Sequence, residues 1–133
     1  MANYKYFHYF QPNPDKTKEK GDCAIRTLCA ATDKDWLTIY DKLTAIGREI
    51  YDVPISMDAI AIFLENENFT PYKISLKKGQ KRPTMQTLIK KYPRKIIVGR
   101  STHHISCARN GKVMDLWDSS SRPLYKYWLK NEN

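Results

Sequence analysis

Cys23 is the residue around which chemistry can be built. It stands in Gly21-Asp22-Cys23-Ala24-Ile25-Arg26-Thr27-Leu28-Cys29-Ala30. Ile25, Leu28, Cys29 and Thr32 recur there at helical spacing, which puts the cysteine on a first helical turn with one stripe buried. Gly21 allows a sharp turn into that helix, and Asp22 is suited to cap it by accepting backbone N–H bonds. The free N–H groups and the positive end of a helix dipole favour a thiolate over a thiol. An attacking sulfur also needs a base within hydrogen-bond reach, and the base needs a group that fixes its tautomer. About eighty residues on, His103-His104-Ile105-Ser106-Cys107-Ala108-Arg109-Asn110-Gly111-Lys112-Val113-Met114-Asp115-Leu116-Trp117-Asp118-Ser119 offers both.

Asn110-Gly111 is the strongest two-residue hairpin signal. In an ideal hairpin Arg109 pairs with Lys112, His104 stands opposite Trp117 with Asp115 diagonal to it, and His103 stands opposite Asp118. Register alone therefore allows two couples, His104/Asp115 and His103/Asp118, and a bulge near the strand end would bring Asp118 to His104 instead. Each residue also has a plainer role. A lone cysteine is most often a small buried residue, one of the histidines is expected to be an exposed strand residue, and either aspartate fits a strand-end turn. Trp117 suits a core position or a roof over the site. Cys29 and Cys107 are expected to be packing residues, and His8, among aromatics, a structural one. Adjacent strand histidines point to opposite faces and chelate one ion poorly, so no metal is expected, nor any cofactor.

These side chains need elements to hold them. The cysteine helix is expected over 22–31 and a second helix from 32 or 33 to 50, with Trp36, Tyr40, Leu43, Gly47 and Ile50 as its stripe. Ser56 caps a short helix to about 66, with Ala59, Ile60, Phe63 and Leu64 inward. A strand is expected over 69–76, a basic turn over 77–83, and a helix capped by Thr84 and ended by Pro93. Strands then follow at 96–98, 103–109, 112–118 and 124–128. Residues 3–10 fit a strand or an extended arm, and 11–20, with two prolines and several lysines, a loop. Helices followed by strands indicate an α+β fold, N-terminal helices on a C-terminal antiparallel sheet, in a single domain over 1–133.

At 133 residues and 41% hydrophobic content the chain can bury one real core. No apolar run approaches a membrane span, and no secretory signal is visible, so a cytoplasmic protein is expected. Three cysteines without a CxxC pair argue against a disulfide framework or a zinc ribbon. The net charge of +9 is consistent with solubility and weak polyanion attraction. The basic residues are scattered along the sequence, which disfavours nucleic acid as a partner.

The segments GDCAIRTLCAAT and RPTMQTLIKKYPRKIIVGRSTHHISCARNGKVMDLWDSS resemble the papain-like cysteine peptidase superfamily. They are most similar to a compact, often phage-encoded branch with a GDC-x-x-R helix and a later H-x-x-x-x-x-x-G-K-x-x-D-x-W-D hairpin. The likeness covers roughly residues 20–128 in element order. It implies a papain-like fold with Cys23 as nucleophile, His104 as base and Asp118 as the carboxylate orienting the imidazole, because Asp118-Ser119 matches the superfamily's Asn-Ser or Asp-Ser step. Asp115 is the alternate. One departure stands out: relatives carry an oxyanion-hole glutamine five or six residues before the cysteine, where this chain has Lys18 and Thr17. The nearest glutamine is Gln11, and the Cys23 backbone N–H with a loop donor would serve instead.

The resemblance implies a thiol hydrolase, a cysteine peptidase or a related acyl transferase or deamidase, acting through a Cys-His-Asp triad on an amide or thioester carbonyl. A protein or peptide substrate is the expected partner. The missing glutamine motivates an alternative, a non-catalytic binder that reuses the fold against a host protein target in the host cytoplasm.

Overall fold

A computed structural model describes residues 5–16 and 21–132. Its elements, in order, are β1 (Phe7–Tyr9), α1 (Cys23–Thr32), α2 (Trp36–Ile50), α3 (Met57–Asn66), β2 (Phe69–Lys73), α4 (Met85–Lys91), β3 (Ile97–Ser101), β4 (His104–Arg109), β5 (Lys112–Asp115) and β6 (Leu124–Lys130). The fold is α+β. Side-chain caps start three of the helices: Asp35 accepts from Thr38 N, Ser56 from Ala59 N, and Thr84 forms a reciprocal capping box with Thr87.

The six strands form one sheet in the order β1-β5-β4-β3-β6-β2. Most neighbours are antiparallel, but β1 runs parallel to β5, pairing Phe7 with Val113. The sheet is thus mixed and not confined to the C-terminal half, because β1 and β2, from earlier in the chain, close its two edges. Alternation along each strand separates two apolar layers. Val98, Ile105, Cys107 and Trp128 pack with α1, α2 and α3. Ile97, Ala108, Val113, Leu124 and Leu129 pack with α4. Gly99 lets α4 lie close to the sheet, since a Cβ there would come within 2.5 Å of the Met85 sulfur.

Two helices differ from the sequence pattern. In α1 every residue from Ala24 to Ala31 is buried, not one stripe, because α1 packs against β4 of the sheet and against α2. In α2 the inward line is Ile39, Leu43 and Gly47, while Tyr40 points outward and stacks on Trp36. Among the described residues no helix is long and apolar enough to cross a membrane.

Candidate active site

The Asn110-Gly111 turn carries positive φ at both residues (54° and 77°), as a two-residue hairpin demands. It sets Arg109 against Lys112, Ala108 against Val113 and Cys107 against Met114, which is the ideal register. Extended outward, that register sets His104 opposite Trp117, and their rings lie 4.8 Å apart. Asp115 is the diagonal neighbour, and His104 Nε2–H donates to its Oδ2 at 2.7 Å. An ionised carboxylate only accepts, so the bond fixes the tautomer and leaves Nδ1 for another partner.

That partner is Cys23. Cys23 is the first residue of α1, and the His104 side chain and the Ile105 backbone both act on its thiol to lower its pKa. Thr27, one helical turn on, donates its hydroxyl to Ile105 O at 2.9 Å and locks α1 to the start of β4. Cys23 is half-buried, whereas Cys29 and Cys107 are buried. Burial pushes both of those thiols up to about 12, and they act as packing residues.

Electrostatics favour an ion pair at the meeting point. Burial is the largest influence on Cys23 and raises its pKa. The His104 and Ile105 hydrogen bonds, with the fields of His104 and Arg26, outweigh burial and bring the thiol below its usual 9.0. Burial likewise opposes charge on His104, but bonds to Asp115 and Cys23 and their negative fields raise it to about 9. Asp115, against its own burial, is held below the ordinary carboxylate range by His104, the Ser119 hydroxyl and the Leu116 N–H.

Behind Asp115 runs a buried chain of charge. Arg26 Nη2 lies 3.4 Å from Asp115 Oδ1 and Nη1 pairs with Asp22. Asp22 also accepts from Asn13 Nδ2 (3.0 Å) and Trp36 Nε1 (2.9 Å). It therefore makes no side-chain cap on α1; its oxygens are spent on Arg26, Asn13 and Trp36.

Asp118 does not reach the imidazole. Its Oδ1 accepts from Ser120 N (3.1 Å) and Ser120 Oγ (2.6 Å), because β5 ends at Asp115 and the chain turns away before Asp118. His103 is not a strand residue either: it sits at φ 58° in the β3–β4 turn. Lys18 and Thr17 lie outside the described residues, and Gln11 accepts the Asn13 N–H through its side-chain oxygen. Sequence reasoning left out Ser119, Asn13 and Trp36 as holders of the two aspartates. The i,i+4 pairing of Asp22 with Arg26 is visible in the sequence, but its burial beside Asp115 is not.

A cleft of about 180 Å³ opens onto the sulfur. Gly21, Cys23, His103, His104 and Arg100 line it, together with Ile55 and Met57. The cleft is half-open, with Arg100 exposed at one side. Among the described residues no cluster of three or more His, Cys, Asp or Glu side chains could hold a metal ion. No family model, no curated protein and no solved structure matches the chain.

Proposed function

We propose that the chain is a papain-like thiol hydrolase or acyl transferase, with Cys23 as nucleophile, His104 as acid and base, and Asp115 rather than Asp118 as the residue orienting the imidazole. The observation that carries this reading is the placement of one imidazole between a half-buried cysteine at a helix start and a buried carboxylate, at the mouth of a cleft.

In this mechanism the Cys23 thiolate attacks an amide or thioester carbonyl carbon, and the π electrons move to oxygen. The Cys23 backbone N–H, which has no acceptor inside its own helix, faces the developing oxyanion. As the tetrahedral intermediate collapses, His104 Nδ1–H gives its proton to the departing amine or thiolate, leaving an acyl-cysteine. Water, or an amine acceptor for transfer, then gives a proton back to Nδ1 and attacks the acyl carbon, and Cys23 leaves as thiolate. Asp115 remains ionised throughout and stabilises the imidazolium.

Iodoacetamide labelling followed by peptide mass spectrometry tests the premise. Cys23 alone should be modified at neutral pH, much faster than a free thiol, and Cys23→Ala should abolish turnover of activated acyl substrates. A Cys23 with ordinary thiol reactivity, or a Cys23→Ala variant with undiminished turnover, overturns the reading in favour of a non-catalytic binder.

A further inference from the structure

The sheet face that carries α4 holds a second feature unrelated to the thiol. Between Glu67 and Asp115 the chain has twelve Lys and Arg residues and no Asp or Glu, whereas residues 33–67 have eight acidic side chains against three basic ones. Folding carries part of this asymmetry across the molecule, while Arg100 lines the thiol cleft and Arg109 pairs with Asp33 on the α1 side. The acidic segment spans α2 and α3, on one side of the sheet. The acid-free segment supplies α4 and the loops that flank it on the other.

Within the basic face lies a groove of about 550 Å³, between α4 and the β2 edge. Lys73 from β2, Lys81 from the loop and Lys91 from the end of α4 converge on it, and Tyr127 forms part of its wall. No carboxylate lines it. Among the described residues none of the three lysines has an ion-pair partner. Tyr127 stacks on Tyr72 at 5.2 Å and 10°, so Tyr72, which does not itself line the groove, covers one face of the ring and holds it in place. Gln80 and Thr87 add neutral hydrogen-bonding groups, and Ile74 and Leu76 add apolar surface.

Three ammonium groups left without counter-charges repel one another, and a polyanion that neutralises them releases its own condensed counterions on binding. An aromatic wall beside such a track is the arrangement that accepts a base while the lysines follow the backbone. We infer that this groove binds a single nucleic-acid strand, through its phosphates at Lys73, Lys81 and Lys91 and through a base against Tyr127. The site is independent of the thiol chemistry and needs no activity at Cys23. The scattered basic residues of the sequence become a track only because β2 and α4 are brought side by side.

The test is fluorescence anisotropy of the full chain with a labelled twenty-nucleotide oligothymidine and with a duplex of the same length, over a salt series. The expected result is binding to the single strand at low salt that weakens steeply as salt rises. The Lys73→Gln/Lys81→Gln/Lys91→Gln variant should bind at least tenfold more weakly, with the log–log salt slope reduced by about 2. Tyr127→Ala should weaken single-strand binding about tenfold, with little change in slope. A charge-matched control, Lys16→Gln/Lys42→Gln/Arg48→Gln, should bind within threefold of the parent. No binding at low salt, equal weakening by the control, or equal affinity for the duplex overturns the inference.

Discussion

Asp115 meets His104 as a diagonal neighbour across the β4–β5 hairpin, with 2.7 Å between Oδ2 and Nε2, while the Trp117 ring lies 4.8 Å from the imidazole. The carboxylate is thus set by register and by the end of a strand. Its other oxygen is held by Arg26 and by the Leu116 N–H. Asp115→Asn keeps the shape and removes the charge that stabilises the imidazolium. Cys23 alkylation and acyl turnover should fall by ~10²-fold or more. Asp118→Asn, at a residue whose carboxylate accepts from Ser120 N and Oγ, should stay within threefold. Reversal of that order would give the orienting role to Asp118.

The active form needs both a thiolate and an imidazolium. Cys23 is held below 9.0, so alkylation should rise through a midpoint below that of a free thiol. His104 keeps its proton up to about 9, so turnover should fall on the alkaline side near that pH, where the leaving group loses its proton donor. The two limbs separate in a stopped-flow series, because alkylation does not need the donated proton. A single shared midpoint for both reactions would remove the ion pair from the mechanism.

Stability follows from the same pair. His104, raised from 6.5 to about 9, contributes stability that is full below pH 6.5 and is lost as pH rises towards 9. Cys23, lowered from 9.0, contributes in the opposite sense, gaining as pH rises through its folded pKa. In the window where both operate, folding moves a proton from sulfur to nitrogen without net uptake. Between pH 6.5 and about 9 the pair's contribution to urea midpoints should therefore change less with pH than His104 alone would make it. On the acid side, Asp115 and Asp22 are both held below 3.8, so their contribution is present above that value and lost as pH falls through their folded pKa values. Denaturation midpoints across pH 3 to 9 check both signs.

Parts of this arrangement were legible in the residues and parts were not. Asn110-Gly111 specifies its own turn, so the register and the His104/Asp115 diagonal follow from the sequence. The choice between the two aspartates depends on where β5 stops, and that is decided by Ser120 capturing Asp118 and by Ser119 turning back to Asp115 at 2.7 Å. No local pattern encodes those contacts. The inward line of α2 was misplaced because Trp36 and Tyr40 are large apolar residues that stack on each other at the surface of the core instead of entering it. The N-terminal strand was legible as aromatic alternation, but its parallel pairing with β5 is a long-range choice.

Arg26 separates two buried carboxylates, and its side chain is only 6% exposed. Arg26→Met should cost about 3–5 kcal/mol, because Asp22 and Asp115 would face each other without a cation. Adding Asp22→Asn should return part of that loss, since one uncompensated charge is then gone. The same variant should raise the midpoint for Cys23 alkylation, as Arg26 is one of the positive charges that favour the thiolate. Urea titrations of the single and double variants give the coupling, and the alkylation profile reads the field at the sulfur. If Asp22→Asn makes the Arg26→Met chain less stable still, the buried chain of charge is not what holds the helix to the hairpin.

Arg100 stands across β3–β4 from Ile105, the residue whose backbone acts on the thiol, and lines the cleft while exposed and without an ion-pair partner among the described residues. Its charge should favour anionic reagents approaching Cys23. The ratio of iodoacetate to iodoacetamide alkylation rates measures that preference, because the two reagents differ in charge far more than in size. Arg100→Gln should lower the ratio by about two- to fivefold, the effect of ~0.5–1 kcal/mol from one partly solvated charge. The iodoacetamide rate itself should change little, since His104 and Ile105 still hold the thiolate. Added salt should narrow the gap between parent and variant, because an exposed guanidinium is screened. A ratio that ignores both the substitution and the salt would place Arg100 outside the approach to the sulfur, and would leave Ile55 and Met57 as the cleft's remaining source of selectivity.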